Sequence, residues 1–151
     1  MREMLFRGKP KDQENFYFFS QCWKENCKDG FIYGSLVVDK DRCFIVVTAL
    51  CSNRSVINNG ITSMIEVIPE TVGQFTGMID KNGKKIFEGD FVRTENYIGN
   101  VVYDEFFAKF KVIYSKFSGN WFDFEGEGGY PIFLDCEVIG NIHDNPELWE
   151  V

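Results

Sequence analysis

Five cysteines and one histidine are the residues whose chemistry stands out in this 151-residue sequence. Thiolates are preferred zinc ligands, and four of the cysteines fall within 30 positions. The spacings favour buried structural thiols instead: four residues separate the first two cysteines, at the loose edge of zinc-ligand spacing, and the next two flank an apolar segment of strand length. The odd number of cysteines also argues against a disulfide framework. The five are Cys22, Cys27, Cys43, Cys51 and Cys136.

Two further groups have the residue types for catalysis or metal binding. A cysteine–histidine nucleophile would have to use His143, the only histidine, and Cys136 is the nearest cysteine in sequence. Asp80, Glu88 and Asp90 have the chemistry of a carboxylate cluster for acid–base work or a divalent cation. We interpret both groups as structural, because aspartate next to glycine is a common turn former and a lone histidine at a strand end is usually a surface or capping residue. The sequence therefore predicts no catalytic residue, no metal site and no cofactor.

The composition is that of a globular protein with an uneven charge. Apolar residues make up 44% and aromatic residues 17%, which excludes a disordered, collagen-like or coiled-coil chain. The net charge is −7, and residues 1–75 carry nine Lys+Arg against nine Asp+Glu, whereas residues 76–151 carry seven against 14. Neither a secretory signal nor an apolar run of about 20 residues is present. We expect a cytoplasmic protein that makes no membrane contact.

Strand patterns and turn residues dominate the chain, which predicts a mainly β fold. The clearest hairpin has the polar turn Asp39–Arg42, and the turn Asp80–Gly83 ends in the Asn-Gly pair typical of type I′ hairpins. Residues Asn15–Asn26 suit a helix or an extended segment. A short helical turn closes the chain, with Asn145 as N-cap and Pro146 in the first helical position. The predicted strands are Phe31–Val38, Cys43–Leu50, Ser63–Ile68, Ile98–Asp104, Phe107–Ser115, Asn120–Phe124 and Cys136–Ile142.

Two segments of the chain are repeated. Gly34–Asp39 matches Gly99–Asp104, and Glu70–Phe75 matches Glu137–Ile142 in the same order, which predicts two copies of one β unit. The string Glu88–Val92, followed by Gly-Asn-Val-Val, also resembles the opening of Src-homology-3-like (SH3-like) barrels, and glycines with a high aromatic content suit a small, strongly bent barrel. We therefore expect two small SH3-like barrel units related by duplication. The expected domains are residues 1–78 and an acidic unit of residues 79–151.

The segment Ile65–Val92 closely resembles the signature of the YopX family of phage and prophage proteins. Leu5–Lys9 and Phe31–Gly34 are similar to the N-terminal pieces of that family, and Glu137–Leu148 is similar to its closing element. The resemblance covers nearly the whole chain. The sequence departs from the family pattern in the insertion Phe16–Asp29 and in the aromatic-rich region Phe106–Tyr130.

The resemblance implies a small, mainly β protein that forms homo-oligomers, and it brings no catalytic residues with it. We interpret the signature residues as structural, with a part in interactions. The glycines suit turns, the first two residues suit local backbone bonds, and the glutamine suits a bridge between strands. They are Glu70, Thr71, Gly73, Gln74, Gly77, Asp80, Gly83, Glu88, Gly89 and Asp90.

The expected function is that of a phage- or prophage-derived accessory protein in the cytoplasm of the bacterial host. It would act by binding and self-association rather than as an enzyme, with a second copy of itself or a host or phage protein as partner. The alternative is nucleic-acid or nucleoprotein handling, including an acidic unit that mimics DNA and occupies the basic groove of a host factor. Direct nucleic-acid binding is disfavoured because the acidic half repels phosphate. The basic stretches are Lys81–Lys85 and the N-terminal Arg2, Arg7, Lys9 and Lys11.

Overall fold

The computed structural model describes residues 3–16, 24–49, 61–114, 121–123 and 135–149. The fold is mainly β, as predicted, and its strands pair in antiparallel sheets. The chain divides into two compact units, the first of residues 4–74 and the second of residues 75–151 with residues 1–3. None of the helices formed by the described residues is long and apolar enough to cross a membrane.

The first unit is an antiparallel sheet around a β hairpin. Its strands are β1 (Phe6–Gly8), β2 (Cys27–Lys28), β3 (Phe31–Asp39), β4 (Arg42–Ala49), β5 (Ile61–Val67) and the beginning of β6 (Gly73–Ile79). The strand order is β5-β4-β3-β1-β6, with β2 also paired to β3. The predicted hairpin is confirmed, since β3 and β4 pair from Ser35 opposite Val46 to Asp39 opposite Arg42.

The residues that follow β1 reach across to β5. Pro10 forms an isolated bridge with Val67, Lys11 donates its backbone N–H to Glu66 at 3.0 Å, and the N–H of Ile68 donates to Lys9 at 2.9 Å. A β-carbon on Gly8 would lie 2.9 Å from the Cβ of Val67, so the glycine is what allows this close approach. The chain after β1 therefore covers one end of the β5 edge.

The second unit contains a five-stranded antiparallel sheet, together with the end of β6 and its partner strand, which continue the order β5-β4-β3-β1-β6. After the end of β6 its strands are β7 (Lys85–Phe87), β8 (Asp90–Arg93), β9 (Ile98–Asp104), β10 (Lys109–Ile113), β11 (Trp121–Asp123) and β12 (Glu137–Asn141). β6 pairs with β7, and the five-stranded sheet has the order β11-β10-β9-β8-β12. β11 and β12 lie at its two edges, and no pairing between them occurs among the residues described.

Each unit has its own buried apolar core, formed by one face of its strands. In the first unit the buried side chains are Ile32, Ile45, Val47, Ile65 and Val67. In the second they are Ile86, Val92, Val101, Phe110, Val112, Cys136 and Val138. Both sets are mostly β-branched residues at alternate strand positions, as expected for a sheet with one buried face.

With β2 of the first unit and the β6–β7 pair of the second left out, the two units share one strand order. The last strand lies beside the first, and the next three strands of the chain follow on the other side. The repeated glycines occupy equivalent places. A β-carbon on Gly34 would lie 2.1 Å from the backbone oxygen of Val46, and one on Gly99 would lie 3.0 Å from the backbone oxygen of Ile113. The two sequence matches do not agree in register. If Gly34 is equivalent to Gly99, their strand partners Phe6 and Val92 are equivalent. If Gln74 is equivalent to Asn141, as the Glu70 match requires, Phe6 is instead equivalent to Asp90, two residues away.

Local geometry corrects three sequence-based predictions. The turn after Asp80 is not type I′, because Gly83 has a φ of +81° while Asn82 does not have a positive φ; Gly83 donates to the carbonyl of Asp80, giving a three-residue turn. β10 begins at Lys109 rather than Phe107. The closing helical turn is confirmed as the 3₁₀ helix Pro146–Trp149, and the backbone carbonyl of Asn145 accepts the N–H of Leu148 at 3.1 Å. The side-chain oxygen of Asn145, however, accepts the N–H of Asn141, which lies outside that helix.

Some predicted features lie outside the described residues. They include most of the Phe16–Asp29 insertion, the turn at residues 118–120 and the glycine-rich loop 125–129. The boundary after Met78 stays a prediction, and the structure divides the chain within β6, between Gln74 and Phe75.

Candidate interaction surfaces

Asp80 is a structural carboxylate. Its Oδ1 accepts the N–H groups of Asn82 and Lys84 at 2.8 and 2.9 Å, and its Oδ2 accepts the N–H of Val138 at 2.9 Å. Burial by itself would raise the pKa of Asp80, but these three backbone donors, together with the charge of Lys84, lower it below its ordinary value. The carboxylate thus closes its own turn and ties that turn to β12.

Gly89 and Asp90 form a second turn held by its own side chain. Asp90 is buried, and its Oδ2 accepts the N–H of Phe87 at 2.9 Å. Gly89 has a φ of +83°, donates its N–H to Val101 and accepts the N–H of Ile142, both at 2.8 Å. The turn before β8 is therefore bonded to β9 and to the residue that follows β12.

The remaining signature residues lie in a 3₁₀ helix, in β6 and in turns. Thr71 bonds local backbone as predicted, since its hydroxyl donates to the carbonyl of Ile68 at 2.7 Å and accepts the N–H of Lys9 at 2.8 Å. Gly73 lies in a strand opposite Arg7 rather than in a turn. Gly77 also lies within β6 rather than in a turn, with a φ of +90°. The other positions are an exposed Glu70 in a 3₁₀ helix, a half-buried Gln74 opposite Phe6, and a half-buried Glu88 in the turn before β8.

Cys136 and His143 differ in exposure, because the thiol is buried and the histidine is exposed. Burial, and secondarily the negative charge of Asp80, raises the pKa of Cys136 to about 11. A thiol with this pKa is almost entirely protonated at neutral pH and is a poor nucleophile. The environment of Cys136 is that of a core residue.

We expect native Cys136 to react with iodoacetamide about a hundredfold more slowly than an ordinary cysteine at about pH 8, because so little thiolate is present. Mass spectrometry of the Cys136 peptide over time measures the rate. The same peptide in urea-unfolded protein is the control, and equal rates in both states would contradict the burial argument.

The two metal sites considered from the sequence were a zinc site of cysteines and a cation site of carboxylates. Within the described ranges, no three or more His, Cys, Asp or Glu side chains are grouped in a way that could hold a metal ion. Asp80 and Asp90, from the carboxylate hypothesis, instead accept backbone N–H groups. Cys22 and Cys51, two of the four thiols considered as zinc ligands, lie outside the described residues.

The candidate nucleic-acid-binding cations are largely engaged with other groups. Lys81 pairs with Glu137 at 3.4 Å, and Lys85 pairs with Glu3 at 2.7 Å. Arg7 is buried, with its guanidinium 4.6 Å from the centre of the Phe31 ring. A phosphate backbone would have to compete with these contacts.

One face of the first unit carries apolar side chains in contact with solvent. Val37, Phe44, Val46 and Met64 lie on the face of β3, β4 and β5 opposite the core, as strand alternation and register require. Val37 is 39% exposed and Met64 is 56% exposed. We call these four residues the outer face.

Charges of both signs border the outer face. Glu66 accepts Arg42 at 2.8 Å and Lys11 at 2.9 Å, and these hydrogen bonds lower the pKa of Glu66 to about 2. The Arg42 guanidinium also lies 4.8 Å from the centre of the Phe44 ring. Asp39 lies opposite Arg42 in the hairpin and adds a second carboxylate. The border of the outer face therefore has two cations, Arg42 and Lys11, and two carboxylates, Glu66 and Asp39.

A second apolar surface lies at the turn between β9 and β10. Phe106 is 88% exposed and Phe107 is 57% exposed, and their rings meet edge to face with centres 4.9 Å apart. The sequence pattern does not indicate this exposed pair, because it predicts a strand that begins at Phe107. One feature of the sequence does indicate exposed rings here: two adjacent phenylalanines lie between Asp104 and Lys109, where a turn normally has polar residues.

This aromatic turn is held by the carboxylate of Asp104. Its Oδ1 accepts the N–H groups of Phe106 and Phe107 at 2.9 and 3.1 Å, and its Oδ2 accepts the Lys111 ammonium at 2.6 Å. The bond to Lys111, followed by that to Phe107, lowers the pKa of Asp104. We call Phe106 and Phe107 the hairpin tip, and this bonding presents it in a defined conformation.

These observations define a mainly β protein whose buried carboxylates organise turns and which has exposed apolar side chains. The sequence model of the family described as YopX protein matches residues 5–150. The chain therefore belongs to the YopX family, which confirms the resemblance of Ile65–Val92.

Two further comparisons add little to the family assignment. No curated protein matches the sequence. The chain is similar to a solved structure described as the crystal structure of protein EF1440 from Enterococcus faecalis, with 20% sequence identity, a TM-score of 0.43, and coverage of 76% of this chain and 85% of that one.

Proposed function

We propose that this protein is an accessory protein of phage or prophage origin that acts in the bacterial cytoplasm by binding and self-association rather than by catalysis. The outer face is the observation that carries the proposal, because exposed contiguous apolar side chains mark interaction sites on proteins. Its border supports a second copy as the occupant. Positive and negative groups stand side by side there, so a second molecule meets no surplus of one sign.

Placing a charge on the outer face is expected to weaken self-association. The variant Val37→Lys should weaken it by at least about tenfold, since burying an unpaired ammonium in an apolar contact is costly. Sedimentation velocity at micromolar concentrations measures the effect. Val38→Lys is the matched control, because Val38 is 60% exposed and is the next residue of the same strand, facing the opposite side. A wild-type protein that is strictly monomeric at these concentrations would refute the proposal.

For the fold, we propose that both units are SH3-like barrel units related by duplication. The shared strand order and the equivalent positions of Gly34 and Gly99 support this proposal, and so does the Pro10–Val67 bridge, which links the chain after β1 to the far edge of the sheet. An experimental structure of the second unit tests it. In the first unit the chain after the first strand bridges to β5, so a duplicated second unit requires the chain after β8 to pair with β11. A β11 edge that lies far from that chain would exclude a barrel.

The acidic second unit favours one alternative function, the mimicry of DNA toward a host nucleic-acid-binding protein. Residues 75–151 carry seven Lys+Arg against 14 Asp+Glu, whereas residues 4–74 carry eight of each. Such binding would weaken steeply with added salt and would be competed by duplex DNA. Binding of a host factor that neither salt nor duplex DNA reduces would exclude the mimicry.

A further inference from the structure

The hairpin tip and the outer face are two apolar surfaces on different units of the chain. The tip is a pair of exposed rings on a turn that projects from β9 and β10. The outer face spans three neighbouring strands, each contributing a side chain. A projecting pair of rings buries most of its area on a broad surface, and little of it on an identical projecting pair.

Net charge disfavours one of the pairings that these surfaces allow between copies, the contact of tip with tip. The tip belongs to the unit in which the whole net charge of −7 resides, and the outer face belongs to the unit with equal numbers of acidic and basic residues. A contact of tip with tip would bring two strongly negative units together. A contact of tip with outer face places a negative unit against a neutral one, which avoids that repulsion.

Hydrogen bonds also hold the tip in one conformation in the unbound chain. Asp104 bonds the backbone of both phenylalanines and Lys111, while the Lys109 ammonium lies 5.4 Å from the centre of the Phe107 ring. Ala108 takes a φ of +51° to complete the turn. A turn already held in one conformation loses little conformational entropy when it docks.

We propose that the hairpin tip of one copy docks on the outer face of the next copy, so that self-association is head to tail. The proposal rests on the proposed self-association and specifies its geometry. A head-to-tail contact uses two different surfaces, and it therefore leaves one tip and one outer face open at the ends of any unclosed assembly.

Two single-surface variants separate this geometry from other modes of self-association. The tip variant is Phe106→Ser with Phe107→Ser, and the face variant is Val37→Lys. All three positions are exposed, so the fold should be unchanged, which circular dichroism and thermal melting verify. Each variant alone is expected to self-associate at least about tenfold more weakly than the wild type, as for the loss of a central interface residue.

The decisive measurement is an equimolar mixture of the two variants, because the tip variant keeps an intact outer face and the face variant keeps an intact tip. The mixture is expected to form a one-to-one complex in sedimentation velocity and to grow no further, since only one productive contact remains. Tyr97→Ser, which removes a 39% exposed aromatic residue beyond the other end of β9, is the control and should associate like the wild type.

Three results would overturn the proposal. A tip variant that associates like the wild type, while Val37→Lys does not, would show that self-association stands but that the outer faces meet each other. Two monomeric variants that do not combine when mixed would show that tip and face do not contact one another. A monomeric wild type would overturn both the head-to-tail contact and the proposed self-association.

Discussion

Gly34→Ala is expected to lower the free energy of unfolding of residues 4–74 by about 3 kcal/mol or more. The added methyl carbon would lie 2.1 Å from the backbone oxygen of Val46 and 2.9 Å from a methyl group of Ile45. A strand carbonyl cannot move aside without breaking its ladder hydrogen bond, so β3 and β4 would have to separate. For a small unit this loss is a large part of total stability.

Hydrogen exchange followed by mass spectrometry measures this loss in each unit separately. Gly30→Ala is the control, since Gly30 has a φ of +76° and open space around it, and the change adds backbone strain without a close contact. Gly99→Ala should destabilise the second unit, but less than Gly34→Ala destabilises the first, because its nearest atom is a side-chain methyl of Val112 at 2.4 Å. Equal losses for Gly34→Ala and Gly30→Ala would contradict the close-approach argument.

Asp80→Asn is expected to lower the free energy of unfolding by about 3 kcal/mol. The carboxylate accepts three backbone N–H groups with two oxygens, whereas an amide has one oxygen and would turn its NH₂ toward at least one donor. At least one backbone N–H then loses its acceptor, and the remaining bonds lose the charge that strengthens them. Urea unfolding at neutral pH measures the difference, and Asp135→Asn, an exposed neighbour of Cys136, should change stability little.

The pH dependence of this difference provides a second check. Because the pKa of Asp80 is lowered in the folded protein, its ionised form stabilises the fold above the unfolded-state pKa of about 3.9, and that contribution is lost as the pH falls through the folded-state value. The gap in stability between wild type and Asp80→Asn should therefore narrow below about pH 4. A gap that stays constant into acid would show that the Asp80 charge contributes nothing.

Much of the β structure was predictable because its causes are local. Alternating side chains define β9, whose observed bounds, Ile98–Asp104, are the predicted ones. The polar residues between two β-branched runs indicate the β3–β4 hairpin for the same reason. The turn at Gly89 was also predictable from the sequence, since glycine adopts a φ of +83° with little strain.

The exposed apolar surfaces were harder to predict, because a side chain's exposure depends on what packs over it. Phe107 and Phe110 are both aromatic residues near one hairpin, yet Phe110 is buried in the core and Phe107 is 57% exposed. Composition predicts that such residues are inside. The carboxylate of Asp104 accepts the backbone N–H of Phe107, which therefore lies in the turn and not in the strand.

The sequence by itself determined the mainly β class and most of the strands, because period-two patterns and turn residues act over a few positions. The family was indicated by the resemblance of Ile65–Val92 to the YopX signature, and the family model over residues 5–150 confirms it. Only the tertiary structure decided the third bond of Asp80, to Val138, which lies 58 positions away. It also decided the burial of Cys136 and the exposure of the hairpin tip. The physical reason is that a carboxylate, a thiol or a phenyl ring takes its role from neighbours that distant parts of the chain supply.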